Sequence, residues 1–479
     1  MSASGISSFS LREYGSALTV TGLSALFGAA LMTAQRALVV VVGADQPDAS
    51  RATKQALTVS AWVFLGIALF IGAIVVVNTF STIIAGRAKR LALLRLLGAS
   101  GRSLRRSSLR EGLLVGVAGA IAGTAAGAAL VQGLLAAGRA WWNWPARLHT
   151  PWLGTDLIAP AVAAVLVTAG AAWIGSRGIL HITPVQAFGT AQAATENSGE
   201  RRSHGRGRTI WAIILGALGL GLLGAGAAVG MRTPYGVLIA FPGGVLATVA
   251  FLLAAEWIVP AVLRIGGPWG AGAAPRLADR NALRNPRRST RATVGIIIGV
   301  ALITMFAVAG FAYRNTVIGY VASFTGKGVS QSDLRQVADA MLIPVSIVMG
   351  LVGFSVLISV IGLINSLTLS TIQRSTEIGL LRALGLTRGQ VRAMTFLESL
   401  RMAVVAVVTG LVIGIGFGWS GSVAMLGKEM KAYSSLWPSV PWQLPVATLA
   451  GALIVTVLAT LAAGRRAVSV SPIAALAQS

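Results

Sequence analysis

The chain has 479 residues, of which 55% are hydrophobic and only 11% are charged. These proportions exclude an ordinary soluble domain, in which about a quarter of the residues are charged. The formal net charge is +25, but the arginines cluster in short segments beside apolar runs. That distribution is typical of cytoplasmic loops in membrane proteins, so we expect anionic lipid headgroups, and no nucleic acid, to face this charge.

The sequence offers little chemistry for an enzyme. It contains no cysteine, which excludes disulfides, thiol catalysis and cysteine-ligated metals. Its three histidines are scattered and have no metal-ligand spacing. No Gly-x-x-x-x-Gly-Lys-Ser/Thr loop is present to hold the phosphates of ATP, and no Ser–His–Asp or paired-carboxylate arrangement stands out. We therefore predict that the chain is not an enzyme and that it binds no cofactor or metal itself.

Four apolar runs in the first part of the chain are each long enough to cross a hydrocarbon core of about 30 Å. The polar segment 1–13 lacks the features of a cleavable signal, so we expect the first run to be kept as a membrane anchor. The predicted spans are 15–40, 59–84, 112–137 and 157–175.

A polar linker, 195–208, leads to two further predicted spans at about 209–231 and 237–264. Glu256 is the one acidic residue in the second of these spans. An ionisable group within a membrane is costly and often functional, which makes Glu256 a possible intramembrane polar site. A structural ion pair with a basic neighbour is the alternative reading.

The remaining predicted spans lie at about 292–313, 341–371, 400–422 and 445–463. We therefore predict an all-α integral membrane protein of about ten transmembrane helices in a 4+2+4 arrangement, with both termini cytoplasmic. The connections on the outer side are short, so no large extracellular domain is expected. The predicted parts are a four-helix module at 1–190, a linker with two spans at 191–265, and a second module at 266–479.

One stretch, from Asn365 to Glu398, occurs twice. Adding 287 to the residue numbers of an earlier copy that begins at Asn78 reproduces its landmarks without a gap. Such internal similarity indicates a duplicated membrane module. The matched landmarks are Arg87 and Arg374, Leu93-Leu94-Arg95 and Leu380-Leu381-Arg382, Gly98 and Gly385, and Glu111 and Glu398.

The run Glu377-Ile-Gly-Leu-Leu-Arg-Ala-Leu-Gly385, followed by a basic amphipathic turn and Glu398, resembles the signature of FtsX-like, or MacB-type, permease domains of ABC systems. The first copy departs from the pattern, because Arg90 stands where the second copy has Glu377. The resemblance implies a cytoplasmic coupling helix near 85–110 and another near 372–398, each docked on an ATPase subunit. It assigns ATPase coupling to Glu377, Leu380, Leu381, Arg382, Gly385, Arg388, Arg392 and Glu398, and to Arg87, Arg90, Arg95, Gly98 and Glu111.

The resemblance further implies a permease subunit of the bacterial inner membrane, driven by a separate ABC ATPase that holds the ATP and Mg²⁺. Two ATPase copies per chain are expected if the two modules form one permease, whereas a dimer of this chain would carry four coupling helices. The expected function is export of an amphipathic molecule, such as an antimicrobial peptide, a drug or a lipid-like compound. The alternatives are a transmitter that regulates an outer cell-wall hydrolase or a sensor, and an ATP-independent transporter or scaffold.

Overall fold

A computed structural model of the chain describes most of the apolar runs and their flanks. Within the described residues the protein is almost entirely helical. The described residues are 15–45, 58–59, 62–63, 65–70, 72–74, 76–77, 80, 88–141, 154, 157–176, 205–265, 286–323, 387–438, 440–451 and 454.

The helices fall into two compact units, residues Met1–Glu200 and Arg201–Ser479. The first unit contains α1 (Gly15–Asp45), α2 (Ala88–Leu96), α3 (Gly101–Trp141) and α4 (Ile158–Gly175). Residues 65–70 and 72–74 are also helical. The second unit contains α5 (Gly205–Gly230), α6 (Gly236–Ile265), α7 (Pro286–Ala322), α8 (Arg388–Tyr433) and a short helix at 443–451.

Seven of the described helices are long and apolar enough to cross a membrane. They are α1 and α3 to α8, and each contains one of the predicted spans. The predicted spans 59–84, 341–371 and 445–463 lie partly or wholly outside the described residues. α3 and α8 are much longer than the spans predicted within them. Each helix begins in the basic segment that precedes its apolar run, and α8 also continues beyond residue 422 to Tyr433.

Small residues bring α1 and α3 into close contact in the first unit. A side chain on Gly123 would overlap the carbonyl oxygen of Gly22, and one on Gly127 would overlap that of Leu26. Gly119 packs against Thr21 in the same way. Gly119, Gly123 and Gly127, each four residues apart, therefore share one packing face. Gly116, three residues before Gly119, instead lies against Val165 and Thr168 of α4.

The second unit repeats this crossing between α7 and α8. A Cβ atom on Gly410 would lie 2.9 Å from the carbonyl oxygen of Ile297. A Cβ atom on Gly414 would lie 2.5 Å from that of Ala301. Adding 287 to 123 and 127 gives 410 and 414, and adding 275 to 22 and 26 gives 297 and 301. The two halves therefore cross corresponding helices at corresponding residues.

The two helices predicted as a link, α5 and α6, pack within the second unit. Gly219 and Gly226 of α5 lie against Gly243 and Ala240 of α6, so the pair forms a tight hairpin. Gly230, at the end of α5, lies against the backbone of α8. Apolar side chains of α6, α7 and α8 then share one core: Val259, Leu263, Ile297, Val405 and Ala406.

Candidate functional site

The first predicted coupling segment folds as a short helix, α2, joined by a sharp turn to α3. The turn ends α2 in a Schellman motif, in which the amide of Gly98 donates to the Arg95 carbonyl at 3.0 Å and that of Ala99 to the Leu94 carbonyl at 2.9 Å. Gly98 has a φ of +93°, a left-handed conformation that costs other residues about 1 kcal/mol or more. Gly98 therefore ends α2.

A small apolar cluster fixes the angle of this turn. Leu104 of α3 is buried, and Leu91, Leu94 and Ala99 pack around it. Leu94 and Ala99 occupy the two positions whose hydrophobic side chains usually accompany a Schellman motif, and here both pack on Leu104. The α2 helix therefore packs against the first turn of α3. We call residues 88–111 the coupling hairpin.

Three leucines of the coupling hairpin remain exposed. Leu93 and Leu96 are about half exposed, and Leu97 is 84% exposed. Helical spacing places Leu380, Leu381 and Leu384 on one face, and subtracting 287 gives their counterparts in the first copy, Leu93, Leu94 and Leu97. The structure separates these counterparts, because Leu94 turns inward onto Leu104 while the other two face outward.

The two copies start their long helices with the same capping contact. The amide of Ser103 donates to the Ser100 hydroxyl oxygen at 3.2 Å, at the start of α3. The amide of Gln390 donates to the Thr387 hydroxyl oxygen at 3.2 Å, and the Gln390 side chain accepts from the Thr387 amide at 3.0 Å, completing a capping box at the start of α8. Adding 287 to 100 and 103 gives 387 and 390. The helix thus begins at the corresponding residue in both copies.

A basic side chain connects the hairpin to the end of α4. Arg105, on the second turn of α3, donates a hydrogen bond from Nη2 to the carbonyl oxygen of Trp173 at 3.1 Å. Its guanidinium also lies over the Trp173 ring, 4.2 Å from the ring centre. The Ser176 hydroxyl donates to the same carbonyl oxygen at 2.9 Å. The hairpin therefore contacts α4 directly through this side chain.

The corresponding part of the second unit contains two buried charged residues on α8. Glu398 and Arg401 are 2% and 5% exposed. Arg401 donates a hydrogen bond from Nη2 to the carbonyl oxygen of Leu263, near the end of α6, at 2.7 Å. The first-copy counterpart of Glu398, Glu111, is only half-buried. The start of α8 is thereby tied to α6, which has no counterpart in the first unit.

Glu256 forms an ion pair between the two helices of the α5–α6 hairpin. Its Oε2 atom lies 2.9 Å from Nη1 of Arg208. Arg208 also donates from Nε to the Leu253 carbonyl oxygen at 3.0 Å, and its guanidinium lies 5.8 Å from the centre of the Trp257 ring. The carboxylate is thus paired with a basic residue of the neighbouring helix, which favours the structural reading of Glu256.

Several of the predicted coupling residues lie partly or wholly outside the described part of the chain. The side chains of Arg90, Arg388 and Arg392 are not described, although their backbones are helical. Arg95 is half-buried in the last turn of α2. Among the described residues there is no group of His, Asp or Glu placed to hold a metal ion. The predicted residues outside the described ranges are Arg87, Glu377, Leu380, Leu381, Arg382 and Gly385.

Sequence reasoning missed the contact between Arg105 and Trp173. Arg105 is one of many arginines in this segment, and nothing in the sequence spacing connects it to a tryptophan 68 residues later. The repeat did single out Arg105, because the corresponding residue of the second copy, Arg392, is also an arginine. The capping residues also had a readable signal, since Thr387-x-x-Gln390 is a capping-box pattern.

Comparison with known protein families matches two segments, residues 62–184 and 349–472, to the model of the FtsX-like permease C-terminal domain. Together they cover just over half of the chain. The chain belongs to the FtsX-like permease family. Each of the two matched segments contains one predicted coupling segment and the glycine-bearing helix that follows it. The seven apolar helices make the protein a multi-pass membrane protein.

Two relatives of this FtsX-like permease come from Bacillus subtilis (strain 168). The uncharacterized ABC transporter permease YknZ is 31% identical over 132 residues, which are 27% of this chain and 31% of YknZ. The ABC transporter permease YtrF is 31% identical over 71 residues, which are 15% of this chain and 16% of YtrF. The matched segments therefore span about a third and a sixth of these relatives.

Proposed function

We propose that this FtsX-like chain is the permease subunit of an ABC exporter, driven by a separate ATPase that binds ATP and Mg²⁺. Two relatives carry the name ABC transporter permease, and this sequence contains no phosphate-binding loop of its own. The duplicated module supplies two coupling segments, which fits two ATPase copies per chain. This arrangement places the termini and both coupling segments on the cytoplasmic side, in line with the arginine-rich segments.

The coupling hairpin is the observation that carries the proposal. Its exposed leucines, Leu93, Leu96 and Leu97, offer an apolar surface at the tip of a segment flanked by arginines. The Schellman turn and the Leu104 cluster hold that surface at a fixed angle to α3. A force applied to the hairpin by an ATPase would therefore reach α3 and, through Arg105, α4.

We propose an amphipathic cargo, such as an antimicrobial peptide, a drug or a lipid-like molecule. The connections predicted on the outer side are short, so the chain offers no large outer domain to collect a soluble cargo. The turn between α5 and α6, residues 231–235, is one such connection. A cargo that already partitions into the membrane needs no such domain, because it enters laterally between helices.

The first test is affinity purification of the full chain from native membranes, with identification of any co-purifying protein that has ABC ATPase motifs. We expect such an ATPase at two copies per chain, and we expect Leu93→Ser with Leu97→Ser to reduce its recovery. Ser103→Ala is the matched control, because Ser103 is exposed nearby and contributes only its amide to the cap.

The second test is ATPase activity of the purified complex in lipid nanodiscs, with and without amphipathic peptides. Stimulation by a peptide in the wild-type complex supports export of this class of cargo. If no ATPase accompanies the chain, the hairpin is better read as an amphipathic helix on the inner leaflet. If the ATPase binds but no amphipathic compound alters its activity, the transmitter alternative takes precedence.

A further inference from the structure

Three arginines form an exposed stripe at the start of α3. Arg102, Arg106 and Arg110 are spaced four residues apart, so they share one helix face over about 12 Å. All three are exposed. Their side chains form no ion pair with another described residue. Arg105 lies between them in sequence but points the other way, toward Trp173.

The same helix face continues as an exposed apolar surface. Leu113, Val117 and Ile121 follow Arg110 at helical spacing and are 40%, 44% and 66% exposed. In an apolar helix that is long enough to cross the membrane, such a surface faces lipid chains. The arginine stripe therefore lies at the level where lipid headgroups meet the lipid-facing side of α3, and long arginine side chains reach readily into that region.

The second copy lacks the stripe. Adding 287 to 102, 106 and 110 gives Gly389, Ala393 and Leu397. Gly389 and Ala393 are exposed, so burial does not explain the loss of charge. By contrast, Arg105 is kept as Arg392 and Glu111 as Glu398. Residues required for a task performed by both copies should be kept in both, so the stripe serves a task of the first copy alone.

We infer that Arg102, Arg106 and Arg110 form a binding site for the phosphate headgroups of anionic phospholipids in the leaflet beside the coupling hairpin. Positive side chains on a helix face that continues into the lipid-facing surface match an anionic headgroup whose acyl chains lie along Leu113 and Val117. An acidic surface of an ATPase is the competing occupant. The repeat disfavours it, because the second coupling segment would dock without these charges.

The test uses the full chain without any ATPase, in nanodiscs of phosphatidylcholine that contain a small fraction of spin-labelled phosphatidylglycerol. The fraction of immobilised label gives the relative affinity for the anionic lipid. Each arginine near an anionic surface contributes about fivefold in affinity, so Arg102→Gln with Arg106→Gln and Arg110→Gln should reduce the affinity by at least about tenfold. Spin-labelled phosphatidylcholine should be unaffected.

Two further variants keep the inference falsifiable. Arg232→Gln with Arg264→Gln removes exposed arginines elsewhere and should leave phosphatidylglycerol binding unchanged. Ala393→Arg with Leu397→Arg rebuilds part of the stripe in the second copy and should increase binding several-fold, even if the triple variant fails to fold. Equal binding by the wild-type chain and the triple variant would overturn the inference. So would a triple variant that keeps its lipid binding but no longer recovers the ATPase.

Discussion

The guanidinium of Arg105 both stacks on the Trp173 ring and donates a hydrogen bond to the Trp173 carbonyl oxygen. One side chain therefore joins the coupling hairpin to α4 by two contacts to the same residue. Substitutions at the two residues remove different contacts. A change at Arg105 abolishes both, whereas a change at Trp173 removes the ring and leaves the carbonyl group.

Arg105→Gln should destabilise the first unit by about 2 kcal/mol, because a charge-assisted hydrogen bond and a cation–π contact are lost together. Trp173→Ala should reproduce only part of the effect on the thermal midpoint of the purified chain. Arg232→Gln and Trp211→Ala are controls, since both residues are exposed. In the complex with its ATPase, Arg105→Gln should weaken cargo stimulation while ATPase recovery stays normal. Equal thermal midpoints for all four variants would show that the contact between Arg105 and Trp173 does not stabilise the first unit.

Gly98→Ala should strain the turn between α2 and α3, because the left-handed φ of Gly98 costs an alanine about 1 kcal/mol. Gly133→Ala is the matched control, since Gly133 lies inside α3 with open space around its Cα. The measurement is hydrogen exchange of the Gly98 and Ala99 amides, which donate the two Schellman bonds. We expect faster exchange at these amides in Gly98→Ala alone, and unchanged exchange would contradict the assigned role of the turn.

Gly414→Leu should force α7 and α8 apart, because Gly414 lies against the backbone of Ala301 and the side chain of Thr304. Overpacking of this kind costs roughly 1–3 kcal/mol. Gly416→Leu is the control on the same helix, since nothing lies within 4 Å of a Cβ atom placed there. The yield of monodisperse protein after heating should fall for Gly414→Leu only. A similar loss in both variants would point to a general effect of leucine on this helix.

The ion pair of Glu256 and Arg208 is suited to a double-mutant cycle. Glu256→Gln and Arg208→Gln should each lower the thermal midpoint, and the double variant should lose less than the sum. We expect a coupling energy of about 1 kcal/mol, because both side chains are partly exposed. If Glu256 instead belonged to a cargo or proton pathway, Glu256→Gln would change transport without any change in stability.

Glu377→Lys combined with Arg382→Glu should uncouple the ATPase while the chain still inserts into the membrane. The matched change in the first copy, Arg90→Glu with Arg95→Glu, should have a smaller effect, because Arg90 departs from the acidic residue of the second copy. Recovery and cargo stimulation of the ATPase in nanodiscs provide the measurement. Normal recovery and stimulation in the Glu377–Arg382 variant would remove the docking assignment of that segment.

The repeat and the helical nature of the chain could be predicted from the sequence, because hydrophobic run length and matched landmarks are local patterns. Gly98 and Gly385 were matched on the same basis. The direction of Leu94 was not predictable, since helical spacing alone places Leu93, Leu94 and Leu97 together. What turns Leu94 inward is Leu104, ten residues later, which the sharp turn folds back onto α2.

Contacts between distant segments were beyond the sequence for a related reason. Arg208 pairs with Glu256 because a five-residue turn makes α5 and α6 antiparallel, which places the start of α5 beside the later part of α6. Gly116 packs on α4 although Gly119, Gly123 and Gly127 of the same helix pack on α1, because glycine spacing indicates a shared face but not which neighbour covers each part of it. The Arg208–Glu256 pair and the neighbour of Gly116 both depend on how the helices pack, which sequence spacing does not specify.

The glycine crossings constrain how the two halves could diverge after duplication. At the crossing, residue numbers in α7 exceed those of the corresponding residues in α1 by 275. Residue numbers in α8 exceed those in α3 by 287, and the starts of the two matched family segments differ by the same 287. The second half has therefore gained 12 residues, or the first has lost them, between Thr304 and residue 349. One residue inserted within either crossing helix would rotate its glycines by about 100° off their partners. The difference in length between the two halves therefore lies in the connection that follows the first crossing helix, and the crossing itself keeps its register.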